Sequence, residues 1–523
     1  MPTAKLIAVG WPTGGINRAF AYSLQPPGTT PDAQNCRAFD PSTGRARGGQ
    51  RPGLARYLAA QANAGNRIQA LFHNLTYGAY SGVTAGNPRT FVRFAVSGGT
   101  LYTFNTTSFT TIGTGLNASA PWIDATPFRE DVMFADGTGH YFYDTSAGTL
   151  QQITASAGSL PVDGSNYPRL CATFHNRLVY SGISSQPQNW FASKVGVFTD
   201  WDYSPAVTTV IQAVAGNDGS ALQIPDKVNT LIDSPLNDVL IFGCDHAIYQ
   251  CTGDPAAGGA IDLISNVTGM AWGESWCRDN EGTVYFFGSR GGVYRMVLGY
   301  VPEKITKGVI DEDLADVNLS THLVKMVWDD RQQGFYVFIS PLTAGAATHW
   351  FYDARNGSWW KDVFADNNFN PIAVHVFDGD AEADRIIMLG GEDSRVRYID
   401  YDGVDDDTSA ISSYCYFGPF NSLSFEDVLL TDLLATLGDD SSPVRCEVFA
   451  GRSPQGAFAK TLAKADVTLR PDGEGRCRDL RARVRGETLW VKLSNTTAAE
   501  TWSFESIQAK LIRVGGRLAK VRA

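Results

Sequence analysis

Phe142-Tyr-Asp-Thr-Ser-Ala-Gly-Thr-Leu150 returns later in the chain as Phe351-Tyr-Asp-Ala-Arg-Asn-Gly-Ser-Trp359. Each copy ends a strand on an aromatic pair, turns on Asp and Gly, and opens the next strand with an apolar residue. Five more hairpins follow a looser plan: an apolar strand, a Gly-rich turn, then an apolar strand carrying an aromatic. They end near Tyr102, Phe191, Tyr249, Tyr294 and Tyr398. With Tyr143 and Tyr352 as anchors of the first pair, successive anchors are 41, 48, 58, 45, 58 and 46 residues apart. Repeats of about 40–50 residues with four short strands each are the signature of a β-propeller. One such sheet cannot bury both faces alone; packed radially against its neighbours, it can. Six or seven blades are expected, because the first and last strands of a propeller often close one shared blade.

The rest of the composition agrees with an all-β chain. Its 523 residues exceed what one hydrophobic core serves. The 28 Phe, 20 Tyr and 12 Trp suit sheet-on-sheet packing, and 53 Gly suit many tight turns. No apolar run reaches the ~18 residues that would span a membrane. Leu6–Gly10 is too short for a signal peptide, so folding in a cytoplasm is expected. None of the eight cysteines sits in a C-x-x-C pair. They read as reduced, buried thiols.

Three segments are expected. Residues 1–57 are rich in Pro, Gly and Arg, with little alternation, and read as an extended arm that needs a partner surface to become ordered. Residues 58–407 carry the repeated hairpins. Wider gaps leave room for insertions at Ala206–Ala221 and at the acidic Asp311–Asp316. Asp400–Asp407 marks a boundary, after which residues 408–523 read as an antiparallel β-sandwich.

The search for catalytic motifs is negative: H-E-x-x-H, G-x-x-x-x-G-K-[ST] and G-x-S-x-G are all absent. The seven histidines are scattered singly along strands. The Tyr352-Asp353…Trp359 turn is nearer the Y-D-x(5)-W of kelch-type blades than the S-x-D-x-G-x-x-W of sialidase propellers, and both are structural. The acidic loops at Asp378–Asp384 and Asp400–Asp407 lack the full spacing of a Ca²⁺ loop and read as solvated turns. No cofactor or metal is expected, and no enzyme activity. Residues 35–57 hold Arg37, Arg45, Arg47, Arg51 and Arg56 against Asp40 alone. Arg forks in that density suit a clamp on a partner protein. Sparse aromatics disfavour base stacking.

Asn35-Cys-Arg-Ala-Phe-Asp-Pro-Ser-Thr-Gly-Arg-Ala-Arg-Gly-Gly-Gln-Arg-Pro-Gly-Leu54 resembles the N-terminal signature of the tail nozzle, or packaged-DNA stabilisation, proteins of short-tailed bacteriophages. Leu240–Pro255, Cys277–Met296 and Trp350–Phe364 look like that family as well. Ala482–Arg517, with Trp502, Ile507 and the Gly515-Gly-Arg517 exit, resembles its closing sandwich. The resemblance implies a virion protein at the distal end of a tail: a hexameric ring below a tube-like adaptor, above a needle or tip, with fibres nearby. No catalytic residues transfer from it.

Charge fits that expectation. The net charge is −11, yet residues 1–56 carry +5 and residues 470–523 carry +6, which leaves −22 on the remainder. An acidic wall repels duplex DNA and lets it slide, whereas a basic one would grip it by counterion release. The basic ends read as docking surfaces. The rival expectation is a propeller that binds or cleaves host-surface glycan. Cleavage would require two carboxylates ~5–9 Å apart.

Overall fold

The computed structural model describes residues 4–77, 89–204, 210–217, 220, 222–234, 238–298, 300–343, 345–378, 385–421, 427–477 and 483–514. Among these residues, six four-stranded sheets follow one another at 68–114, 124–152, 170–216, 228–265, 276–304 and 322–362, and three strands of a seventh blade at 373–400. All seven aromatic anchors lie on the third strand of their own sheet, from Tyr102 in Thr100–Phe104 to Tyr398 in Val396–Asp400. Tyr102 and Tyr143 are buried there and the other five are half-buried, so a large flat side chain at this position packs one face on the sheet. The two copies of the opening motif occupy the same turn, between third and fourth strands. In each, the Asp carbonyl accepts the Gly N–H, Gly148 to Asp144 at 2.8 Å and Gly357 to Asp353 at 2.9 Å. The expected insertion at Asp311–Asp316 is a short helix, Asp311–Ala315, between blades 5 and 6.

The first strand of each blade lines the central axis, and the first strand of blade 7 packs against that of blade 1 to close the circle. Blade 7 has only three strands of its own. Its fourth is Gly53–Arg56, which pairs antiparallel with Val396–Asp400. The shared-blade closure is therefore present, and its closing strand comes from the segment expected to be a free arm.

The C-terminal half-sandwich borrows from the same segment. One sheet runs Ala4–Val9, Phe504–Val514, Asp427–Leu437, Val484–Gly486. The other runs Ala33–Gln34, Ser413–Asn421, Thr488–Asn495, Val444–Gly451, Ala465–Leu469. Alternate residues of Asp427–Leu437 point into a core shared with Val448, Val491 and Ile507. Trp11 joins the two halves. Its indole stacks on Trp360 of blade 6 at 6.0 Å and meets Phe417 and Trp502 of the sandwich edge-on at 5.7 Å. Gly48 makes room for it: a Cβ there would sit 2.0 Å from the Trp11 ring, and φ is +74°.

All eight cysteines are free and buried. Among the described residues no helix is long and apolar enough to cross a membrane.

Candidate functional site

The five arginines expected to dock a partner are distributed by this topology, and the two most central are sealed inside the molecule. Arg37 is 1% exposed. Its guanidinium forks onto Asp362 at 2.8 and 2.7 Å, donates to Gln332 at 3.1 Å, and lies 4.2 Å from the Phe351 ring centroid. Arg51 forks onto Asp406 at 2.8 and 2.6 Å and donates to Asn35 at 3.0 Å. Burial disfavours both charges, but the facing carboxylates outweigh it and raise both guanidinium pKa values. Asp362 closes blade 6 and Asp406 follows blade 7, so both arginines hold the N-terminal segment onto the propeller. Docking by Arg37 and Arg51 is therefore excluded; the forks do meet carboxylates, but within their own chain.

Arg47 bridges Asp40 and Glu505 at 2.7 and 2.8 Å, tying the segment to the last sandwich strand. Asp40 is the hub of a tight turn. Burial works against its charge, but hydrogen bonds from Thr43, Arg47 and Ser42 hold the carboxyl below its usual range. Arg56 pairs with Asp407 at 2.6 Å while staying partly exposed. Of the five, only Arg45 presents an exposed side chain without an ion pair among those found. The +5 of the first 56 residues is thus largely consumed inside the fold. Sequence spacing could not show this, because Asp362, Asp406 and Asp407 lie more than 300 residues downstream.

A second cluster, on the propeller axis, was not legible in the sequence. Lys325, on the first strand of blade 6, is fully buried and donates to Glu274 at 2.9 Å. Its ammonium stands 3.6 Å from the ring centroid of Trp122, which enters from blade 2. Trp272, at the entry of blade 5, meets Trp122 edge-on at 5.3 Å. Blades 2 and 6 are not neighbours, so the Trp122 indole lies across the lumen and divides it. Burial lowers Lys325 to about 8 despite Glu274, and burial, reinforced by Glu274, raises Asp124 to about 8.

Two carboxylates in one lumen invite comparison with a glycosidase pair. Their hydrogen bonds argue otherwise. Asp124 accepts backbone N–H bonds on both oxygens, from Ala125 at 3.0 Å and Cys171 at 2.9 Å. Glu274 is tied to Lys325. The trio ties blades 2, 3, 5 and 6 together, and both carboxylates are hydrogen-bonded within the chain. Among the described residues no group of three or more His, Cys, Asp or Glu could hold a metal ion.

Histidines separated in sequence also meet on the axis. His73 Nδ1 and His375 Nε2 are 2.6 Å apart across the seam where blade 7 closes on blade 1. Burial, with His73 adding to it, lowers His375 to about 3. His349 accepts from the Ile339 N–H at 3.1 Å and faces the Asn370 side-chain oxygen at 3.1 Å, so it is a neutral core imidazole, lowered by burial to about 4. The acidic stretch Asp400–Asp407 serves as hydrogen-bond scaffold, while residues 379–384 of the other acidic loop lie outside the described residues.

No family model matches the chain, and no curated protein does. Solved structures do. The extracellular domain of a putative one component system from B. thetaiotaomicron aligns with a TM-score of 0.43 at 11% identity, over 83% of this chain and 59% of that one. A quinonprotein alcohol dehydrogenase-like protein from Bacteroides thetaiotaomicron VPI-5482 aligns with a TM-score of 0.35 at 9% identity, over 56% of this chain and 65% of that one. This chain therefore spans less than two thirds of the length of either protein.

Proposed function

We propose that this chain is a structural subunit of the tail of a short-tailed bacteriophage, and that copies of it form the ring through which the genome leaves. The observation that carries the reading is the position of Asn35–Leu54, the segment most like the nozzle family. It is the seam of the molecule: Asn35, Arg37 and Arg51 bind blade 6 and the blade 7 closure, while Arg47 and Gly48 bind the sandwich. A signature that fastens two β-domains into one body suits a load-carrying part, and no comparable constellation for catalysis accompanies it among the described residues.

The plugged axis constrains the mechanism. Trp122, Trp272 and Lys325 close the lumen of the propeller, so DNA has no route through a single subunit. The passage must lie between copies, with propeller or sandwich surfaces as its wall. The negative bulk of the chain then disfavours stalling of the polyanion. Arg45 remains the one expected docking arginine free to reach a neighbour such as an adaptor, a tip or a fibre. Electron microscopy of the purified full-length chain, with immunolabelling of intact particles, tests the reading. It expects six-fold rings and label at the distal end of the tail; a protein absent from particles would overturn it.

A further inference from the structure

On the entry face of the propeller, above the Trp122 plug, a cavity of about 640 Å³ opens between blades 2, 3 and 4. That volume lies within the range of small-molecule sites. Apolar side chains such as Pro121, Pro187, Val228 and Leu319 form part of its lining, and three further kinds of group join them. Trp272, half-buried, supplies an aromatic wall held upright by its edge-on contact with Trp122. Arg169 and Lys227 supply positive charge. Arg169 is exposed, and its stem lies over Gly137, whose missing side chain leaves it space: a Cβ there would be 3.0 Å from the guanidinium Nε. Lys227 is loosely paired with Asp245 at 3.9 Å. Asn117 and Ser184 add an amide and a hydroxyl that are partly engaged: Asn117 donates to the Asp136 carbonyl at 3.1 Å and accepts the Ser119 N–H at 3.0 Å, and Ser184 donates to Asn166 at 2.8 Å, which leaves one amide N–H and the hydroxyl lone pairs for a ligand.

The carboxylate in the lining is already engaged. Asp136 is 3% exposed and accepts from the Asn117, Thr138 and Gly139 N–H groups at 2.8, 2.8 and 2.9 Å, and from the Thr138 hydroxyl at 3.0 Å. Its charge is spent on the turn that shapes the wall. The cavity therefore offers the Arg169 guanidinium, the Lys227 ammonium shared with Asp245, neutral hydrogen-bonding groups and an indole, and the one acid in its lining is already satisfied.

We propose that this cavity binds a sugar ring that carries a carboxylate. The ring's C–H face packs on Trp272, the carboxylate takes the Arg169 fork with Lys227 alongside, and hydroxyls meet Asn117 and Ser184. A cation does not suit such a lining, and a purely apolar ligand would leave Arg169 and Lys227 unused. A phosphate group would use the two cations but leave the indole without a role. The site sits on one subunit and does not depend on ring assembly.

The test is titration calorimetry of the full-length chain with glucuronic acid, N-acetylneuraminic acid, a glucuronate-containing oligosaccharide, glucose and inorganic phosphate. The acidic sugars should bind about tenfold or more tightly than glucose, the difference a charge-assisted hydrogen bond makes. Phosphate should bind more weakly than the acidic sugars. Arg169→Gln, on the surface, should weaken acidic-sugar binding about tenfold or more while leaving the thermal transition in place. Trp272→Phe should weaken all the sugars alike, and Trp272→Ala more so. Tighter binding of the oligosaccharide than of the single acids would mark a polymer as the source. The proposal is overturned if no acidic sugar binds at millimolar concentration, if glucose binds equally well, if phosphate binds as tightly as the sugars, or if Arg169→Gln and Trp272→Phe bind as wild type. Such a failure would leave the ring reading untouched, since ring formation is scored separately by microscopy.

Discussion

Replacing Arg51 with Ala should unfasten the N-terminal segment. The substitution removes both forks onto Asp406 and the bond to Asn35, which itself accepts the Val363 N–H at 2.8 Å. Asp406 is fully buried. Without Arg51 it keeps, among the described residues, the Ala365 N–H at 3.0 Å as its donor. Breaking a buried pair by deleting one partner costs about 3–5 kcal/mol, mainly because the remaining charge is stranded. That is a large part of the ~5–15 kcal/mol that holds a domain folded. Arg45→Ala, by contrast, removes an exposed side chain and should stay within about 0.5 kcal/mol. Two assays read this out. Denaturant unfolding should show a lower midpoint for Arg51→Ala and an unchanged one for Arg45→Ala. Native-state hydrogen exchange should show slow amides at Gly53–Arg56 in the wild type and fast ones in Arg51→Ala, since that strand closes blade 7. Adding Asp406→Leu to Arg51→Met should recover much of the loss, because no charge is then stranded. If Arg51→Ala keeps both the wild-type midpoint and the protection at 53–56, the seam is not held by this pair and the reasoning fails.

Other outcomes follow from the same geometry. Gly48→Ala should destabilise the joint between propeller and sandwich severely, since its Cβ would overlap Trp11; a melting temperature within a degree or two of wild type would contradict the packing described. Acid should weaken the fold below pH ~6.5. His140, His349 and His375 are lowered to about 4, about 4 and about 3, so the folded chain binds fewer protons than the unfolded one across that window. Each costs ~1.4 kcal/mol per pH unit between its two pKa values, while the carboxyls that burial raises, Asp124 to about 8 and with it Asp131, Asp233, Asp329 and Glu392, oppose them and make the net slope shallower. Stability that is flat or rising from pH 6.5 to 4.5 in urea titrations would refute this. Duplex DNA should bind the full-length chain negligibly even at ~50 mM salt, and tight, salt-sensitive binding would remove the sliding-conduit mechanism. A version without residues 1–56 is not a suitable probe, because it lacks a blade strand and two sandwich strands.

Much of the fold was legible because the propeller repeats its chemistry. An aromatic recurs on the third strand of every blade, with an Asp…Gly turn behind it in blades 2 and 6, and local sequence carries that signal. The N-terminal segment misled because its partners are remote. Two-residue strands such as Ala33–Gln34 have no periodicity to read, and Arg37 or Arg51 looks the same in sequence whether it faces solvent or a buried Asp362 or Asp406. Low apolar content suggested disorder, yet the segment is ordered by pairing its backbone with strands already folded and by neutralising its charges inside. The axial cluster was invisible for a related reason. Trp122, Asp124, Glu274 and Lys325 come from the entry strands of different blades, and only closure of the circle brings them together. Pro41-Ser-Thr-Gly44, by contrast, is a turn whose chemistry is local, since Asp40 accepts from the Ser42 N–H and the Thr43 hydroxyl within it.

The most direct test of the central claim is the symmetry of the purified full-length protein, measured by single-particle electron microscopy at several concentrations. The account predicts closed six-fold rings whose central passage runs between subunits, with each propeller axis blocked at Trp122. A protein that stays monomeric at every concentration, or a ring whose open passage runs through the propeller axes, would contradict it.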